Sequence, residues 1–159
     1  MVNKKRLWLS VIGLMVLVSG TAVFFLTYDF PRNIDVTHPA VQYRVNDPSS
    51  AQITTVEIQG KIHRPLFREK VFKGQIRMDG YEYTKTGGLF DVFLHENRGF
   101  LFYNAGTQIH TLGIIWIDGD FDRIHVYVFE GDRSYDLRIS APARTYEEAM
   151  QISERAGRS

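Results

Sequence analysis

An uncharged apolar run near the N-terminus constrains this chain most. Residues 7–28 form 22 consecutive positions without Asp, Glu, Lys or Arg, directly after Lys4, Lys5 and Arg6. A helix of about 20 apolar residues, rising 1.5 Å per residue, spans the hydrocarbon core of a bilayer. The positive-inside rule keeps residues 1–6 in the cytoplasm and exports the chain from Asp29 onward. The run therefore predicts a single-pass anchor in the cell membrane with an extracytoplasmic C-terminal part.

A cleaved signal peptide is the alternative interpretation of this run. Residues 19–22, Ser-Gly-Thr-Ala, resemble a small-residue cleavage site, but residues 23–26 continue the apolar run beyond it. Signal peptides have shorter apolar regions of about 7–15 residues. The length therefore favours an uncleaved anchor.

Composition excludes several classes of chemistry. The chain contains no Cys, which rules out disulfides, zinc–thiolate sites and cysteine nucleophiles. Residues 29–159 hold all 18 acidic residues and 16 of the 19 Lys and Arg, a net charge of −2. This balance argues against nucleic acid as a partner. The remaining length is sufficient for one domain with a single core.

The exported part divides into a tether and a β domain. Residues 29–50 contain Pro31, Pro39 and Pro48 among polar residues and are expected to form a tether with little regular structure, in which residues 41–45 form a short strand or lie extended on the domain. From residue 51 apolar and polar residues alternate, as at residues 56–62 and 72–78, which is typical of half-buried antiparallel strands. Turn signals separate about seven such strands, which include a short strand at residues 81–84 and another at residues 89–95. We therefore expect a mainly β fold, an antiparallel meander forming a curled sheet or small barrel.

One helix is expected after the strands. Thr145 and Glu148 form a capping box, in which each side chain bonds a backbone amide of the first turn. Gly157 is suited to end the helix. The sequence thus predicts a C-terminal helix over residues 145–156 that covers an end or an edge of the sheet.

Three stretches of the β domain carry a family resemblance. They are VEIQG at residues 56–60, FKGQIRMDG at residues 72–80, and ISAPA at residues 139–143 before YEEA at residues 146–149. In these stretches the chain resembles a group of small membrane-anchored proteins of Gram-positive bacteria. That resemblance implies one N-terminal span and an exported β-rich domain. It implies no activity and no functional residue.

A basic hairpin is the first candidate binding surface. Residues 61–85 hold seven Lys and Arg against three acidic residues, and Leu66 and Phe67 fall at the expected hairpin tip. Exposed, these two side chains would form a wedge that touches the membrane, with the cations near anionic headgroups. We favour the alternative, in which Leu66 and Phe67 fold into the core and the cations are solvated. The candidate residues are Lys61, Arg64, Leu66, Phe67, Arg68, Lys70, Lys73 and Arg77.

An acidic turn is the second candidate site. Asp118, Asp120 and Asp122 are spaced as in oxygen-rich calcium loops, but Arg123 and Phe129 occupy the positions where such loops have Gly and Glu. A polar turn uses the same residues, and we favour the turn, with no cofactor other than possible calcium. Residues 118–136 hold six acidic residues against two Arg, which predicts a dipolar domain.

Signals for catalysis are weak. Asp91 lies within an apolar run and is the best candidate for a buried acid. His63 and His125 fall on outward faces and could share a metal if their strands were neighbours. Trp116, Tyr103 and Tyr127 could line a glycan-stacking surface, although Trp in an apolar strand favours the core.

These patterns favour a non-enzymatic binding or accessory module at the membrane. Its expected partner is a protein, a lipid or an envelope polymer. Two alternatives stay open: a cell-envelope hydrolase acting on glycan or lipid, and a calcium-dependent binding domain.

Overall fold

The chain begins with a long apolar helix that is not buried against the β domain. A computed structural model describes residues 4–131 and 136–158, and begins with helix α1, Lys4–Thr27. Residues Trp8–Thr27 are apolar and long enough to cross a membrane, and none of this segment is buried against the rest of the chain. The expected N-terminal apolar helix is thereby confirmed. Only residues 28–31 separate it from the first strand.

The predicted tether over residues 29–50 is wrong. Strand β1, Arg32–Arg44, pairs with β2, Asp47–His63, from Arg32↔Ile62 to Arg44↔Asp47. Pro39 does not interrupt this ladder, because its carbonyl accepts a bond from Ala143 N on the opposite side. The missing N–H therefore points away from β2. Prolines that suggested a linker instead lie within and beside a strand of the sheet.

Within the described residues nine strands form one antiparallel sheet, rather than about seven. After β1 and β2 come β3 (Lys70–Met78), β4 (Gly88–Leu89), β5 (Val92–Leu94), β6 (Arg98–Ala105), β7 (Gln108–Asp118), β8 (Arg123–Val128) and β9 (Leu137–Ala141). The order across the sheet is β4-β6-β7-β8-β9-β1-β2-β3-β5. A short helix, α2 (Glu82–Thr86), replaces the strand expected at residues 81–84.

The two edges of the sheet meet, so the sheet is nearly closed. The strand expected at residues 89–95 is split: β4 pairs with β6, whereas β5 pairs with β3. Leu89 N donates to Gln75 Oε1 at 3.3 Å, and His95 and Arg98 exchange two backbone bonds of 2.8 Å. Gly99 lets β6 approach β5, since a Cβ there would lie 2.8 Å from Phe93 O. We call this junction between β5 and β6 the seam.

The main core fills the inside of the sheet. Its fully buried side chains include Ile58, Phe72, Leu101, Ile115 and Phe121. They come from β2, β3, β6, β7 and the turn before β8. The interior is therefore a packed core, as expected for a small barrel.

Helix α3, Tyr146–Arg158, packs on the outer face of the sheet rather than over an end or edge. It covers Tyr43 of β1 and Trp116 of β7 with Ala149, Ile152 and Ala156. Because α3 shields one stretch of the outer face, apolar side chains there are buried rather than exposed.

The N-terminal cap of α3 is the one predicted from the sequence, but the C-terminal end of the helix is not. Glu148 N donates to Thr145 Oγ1 at 3.3 Å, and the Glu148 carboxylate accepts from Arg144 N at 2.7 Å. The capping role of Thr145 is thereby confirmed. Gly157 does not end the helix, which continues to Arg158. Arg98 Nη2 donates to Ala156 O at 2.7 Å and secures the last turn.

Candidate functional site

Five apolar side chains point to solvent on the outer side of the seam. We call this set the aromatic face, and its members are exposed by 39% to 66%. It consists of Phe90, Phe93, Phe100, Phe102 and Ile109. Monomeric soluble proteins rarely expose contiguous apolar patches of this kind without a function.

The strand geometry explains why these side chains lie together. In β6, Leu101 and Tyr103 point into the core, so Phe100 and Phe102 must point outward. The Phe100 and Phe102 rings stack with centroids 5.8 Å apart. Phe93 comes from β5, across the seam, and Ile109 is the second residue of β7, after the β6–β7 turn. Phe90 lies in the connection between β4 and β5. Three strands and one connection therefore supply one continuous surface.

An open groove of about 510 Å³ runs across the aromatic face. Asp91 supplies its polar group, and the Asp91 carboxylate lies 3.1 Å from Lys73 Nζ at the rim. Asp91 is thus an exposed, paired carboxylate rather than the buried acid considered for hydrolysis. The chemistry of this groove is suited to burying another apolar surface.

Sequence reasoning did not find the aromatic face, although a signal was present. Residues 100–103 read Phe-Leu-Phe-Tyr, an apolar run without alternation. Such a run in an antiparallel sheet means that both faces are apolar. The outer side of Trp116 is covered by α3, but Phe100 and Phe102 lie beyond the helix and stay exposed.

The aromatic residues singled out for glycan stacking do not form a surface. Tyr103 is fully buried and donates a 2.7 Å hydrogen bond to Ile76 O. Trp116 is 3% exposed beneath α3. Tyr127 is half-buried, with the Arg138 guanidinium carbon 5.2 Å from its ring centroid.

The predicted basic hairpin exposes its apolar tip. The loop of residues 64–69, which we call the hairpin loop, connects β2 to β3. Leu66 is 57% and Phe67 is 72% exposed, so these side chains do not fold into the core. The favoured expectation that both side chains are buried is therefore wrong, and their placement agrees with a wedge geometry.

Most cations of the predicted basic surface have partners within the domain. Arg64 pairs with Asp120, Arg68 with Asp29 at 2.6 Å, and Lys73 with Asp91. Arg77 lies 3.9 Å from Glu57, and Lys70 donates to Asn97 Oδ1 at 3.1 Å. Lys61 is exposed and lies opposite Lys73 in the β2–β3 ladder. The hairpin therefore attracts an anionic surface less strongly than its number of Lys and Arg residues indicates.

The acidic turn is held by arginines. Asp118 binds Arg123 at 2.5 Å, and Asp120 binds both Arg32 and Arg64. Within residues 4–131 and 136–158 no group of three His, Asp or Glu side chains could hold a metal ion. The Asp118 and Asp120 carboxylates thus have guanidinium partners, while Asp122 is exposed. Arg64 of the basic hairpin pairs with Asp120 of the acidic turn, so the acidic and basic segments meet there instead of forming separate poles. Asp132 and Arg133, which also belong to the acidic segment, lie outside the described residues.

A buried histidine lies between α3 and the sheet. His125 does point outward from β8, as predicted, but α3 covers it completely. Its Nδ1 lies 2.9 Å from Ser140 Oγ and its Nε2 lies 3.5 Å from Ser153 Oγ. Burial, with a smaller effect from the Arg138 charge, lowers the pKa of His125 from 6.5 to about 3. His125 contacts two serine hydroxyls beneath a covering helix, and we therefore interpret it as a structural residue.

A shared metal between His63 and His125 is contradicted by the strand order. His63 ends β2, while β9 and β1 lie between β2 and β8. His63 instead lies 3.9 Å from the Asp29 carboxylate.

Comparisons with protein-family models, curated proteins and solved structures gave no match. The resemblance to small membrane-anchored proteins of Gram-positive bacteria therefore stays a prediction.

Proposed function

We propose that this chain is a non-enzymatic binding module, anchored in the cell membrane by α1, that holds a membrane protein against its aromatic face. The exposed cluster of four Phe and Ile109 is the observation that carries this proposal. The cationic residues 4–6 support a cytoplasmic N-terminus, which would place the β domain outside.

The shape of the groove favours a protein over a small ligand. Sites for small molecules enclose most of the ligand surface. Here every lining Phe is at least 39% exposed, so the groove is open along its length. Protein interfaces, in contrast, are built around aromatic side chains that become buried only when the partner is present. An apolar helix or strand of a partner protein fits this description.

Anchoring would strengthen such an interaction. A module confined to the membrane by α1 meets partners in the same membrane at a raised effective concentration. A modest apolar interface could then be occupied without high intrinsic affinity. Asp91 and Lys73 at the rim would select against partners with mismatched charge.

Site-specific photocrosslinking tests the proposal. The photoreactive analogue p-benzoylphenylalanine replaces Phe102 in one variant and Ile53 in a control, and both are expressed in the native cells. Ile53 is 77% exposed and belongs to β2, a strand that supplies no residue of the aromatic face. We expect position 102, and not position 53, to capture one dominant membrane protein, identified by mass spectrometry.

Binding to the captured protein must then be measured with purified components in lipid nanodiscs. Phe102→Ser should weaken binding at least about tenfold, the loss of roughly one buried aromatic anchor, and Ile53→Ser should leave it unchanged. Equal affinity of Phe102→Ser and the unaltered chain would contradict the proposal. Capture of only lipid or envelope polymer at position 102 would also contradict it.

A further inference from the structure

The β domain lies close to the end of the apolar helix. Helix α1 ends at Thr27 and β1 begins at Arg32. Four extended residues span at most about 14 Å. If α1 crosses a membrane, as proposed above, the barrel must therefore lie against the membrane surface rather than at the end of a long tether.

The hairpin loop binds the end of this helix directly. Arg64 N donates to Asp29 O at 2.6 Å. Arg68 Nη2 donates to the Thr27 carbonyl at 3.4 Å and to the Asp29 carboxylate at 2.6 Å. These bonds hold the loop at the level where the helix ends. The tip of the loop is thus fixed beside α1 and not merely near it in sequence.

Aromatic residues mark this level as a membrane interface. The Tyr28 ring stacks on Phe24 with a centroid distance of 5.1 Å and contacts Phe30 edge-on at 4.8 Å. Tyr and Trp concentrate at the boundary between hydrocarbon and water. Leu66 and Phe67 are large, apolar and exposed at the same level.

We infer that the hairpin loop inserts Leu66 and Phe67 into the boundary between lipid headgroups and acyl chains, beside α1. The bilayer is then contacted at two places, α1 and the loop, and two contacts fix how the barrel is oriented. Insertion is driven by the two apolar side chains, because Arg68 and Arg64 are engaged in ion pairs with Asp29 and Asp120 within the protein. This contact rests on the proposed anchoring and goes beyond the binding role of the aromatic face.

The absence of Cys in the sequence makes a labelling experiment clean. Single-cysteine variants Phe67→Cys and Leu66→Cys of the full chain are labelled with the fluorophore NBD in lipid vesicles. Val16→Cys, within α1, reports on the anchor, and Ile53→Cys reports on a position in water. Ile53 lies ten residues before His63, or about 33 Å further along β2.

Two readouts distinguish lipid from protein shielding. Nitroxide-labelled lipids should quench NBD at positions 66 and 67, and dithionite should reduce it there at least about tenfold more slowly than at position 53. Both results should persist in about 0.5 M salt, because the contact is apolar.

Each remaining outcome overturns the inference. If position 16 is quenched by lipid while positions 66 and 67 behave like position 53, the anchor stands and the inserted loop is refuted. Slow reduction without quenching by lipid would mean that protein shields the loop, which also refutes it. If position 16 itself is not quenched, the proposed anchoring fails together with the inserted loop.

Discussion

Protonation of His125 should weaken the contact between α3 and the sheet. In the folded chain the imidazole is fully buried, and its pKa is lowered from 6.5 to about 3. The unfolded chain therefore binds this proton first as the pH falls. The stabilising effect of a neutral His125 is complete above pH 6.5 and is lost progressively between pH 6.5 and pH 3.

The size of this loss of stability follows from the lowered pKa of His125. At pH 4.5 the unfolded chain is protonated at this site and the folded chain is not. Two pH units below 6.5, at about 1.36 kcal/mol each, give a loss of about 2.7 kcal/mol in the free energy of unfolding. This is a large part of the 5–15 kcal/mol typical of a domain.

Urea unfolding at pH 7 and pH 4.5 measures this loss. Trp116 lies in the same contact and is one of only two Trp residues, so its fluorescence reports on α3 in a Trp8→Phe background. The matched variant is His125→Asn, whose amide can replace the bond from Nδ1 to Ser140 but does not titrate.

The two proteins should respond differently to pH. Acidic side chains contribute equally to both, so the difference between them isolates His125. We expect the His125→Asn variant to lose about 2.7 kcal/mol less than the parent between pH 7 and pH 4.5. An equal loss in both proteins would refute the argument that burial keeps this histidine neutral.

Two further predictions concern the seam and the end of α3. Gly99→Ala should destabilise the fold by about 1–3 kcal/mol in the same urea assay, since the new Cβ would lie 2.8 Å from Phe93 O. Gly88→Ala, where a Cβ meets nothing within 4 Å, is the control and should differ little. Arg98→Ala removes the 2.7 Å bond to Ala156 O and should increase amide hydrogen exchange over the last turn of α3 by about tenfold, equivalent to roughly 1.4 kcal/mol. Unchanged exchange there would mean that the apolar contacts alone hold this turn.

Local patterns predicted the regular strands and the helix cap well. Alternation at residues 56–62 and 72–78 became β2 and β3, paired from Val56↔Met78 to His63↔Val71. Thr145 caps α3 as expected. The helix cap depends on residues that are close in sequence. Each of these strands has one buried face, which the alternation of apolar and polar residues reveals.

Features set by distant contacts were missed. Strand β1 was not predicted, because Pro39 suggested irregular structure. A strand accommodates a proline when the proline nitrogen faces away from the paired strand, and the sequence does not show which way the nitrogen faces. Helix α2 was expected to be a strand, but Thr84 Oγ1 accepts from Met78 N at 3.0 Å and donates to Tyr81 O at 2.7 Å, which bends the chain into a turn of helix.

The candidate site was predicted only in part. Leu66 and Phe67 are exposed, against the favoured expectation, because the tip of this hairpin has no neighbouring strand to cover it. The aromatic face was missed because sequence cannot show how far α3 extends across the outer side of the sheet. Helix α3 covers Trp116, which is buried, but does not reach Phe100, which stays exposed.

The pairing of β1 with β9 has a consequence for biogenesis. Val41 lies opposite Ser140, so β1 acquires its second neighbour only after residues 42–140 have been made. Until residues 137–141 arrive, one edge of β1 has no partner and the interior of the sheet is open. Folding is therefore completed only when the C-terminal strands join. During that interval the incomplete sheet is open to pairing with other chains, so slow completion of the sheet favours aggregation of this protein.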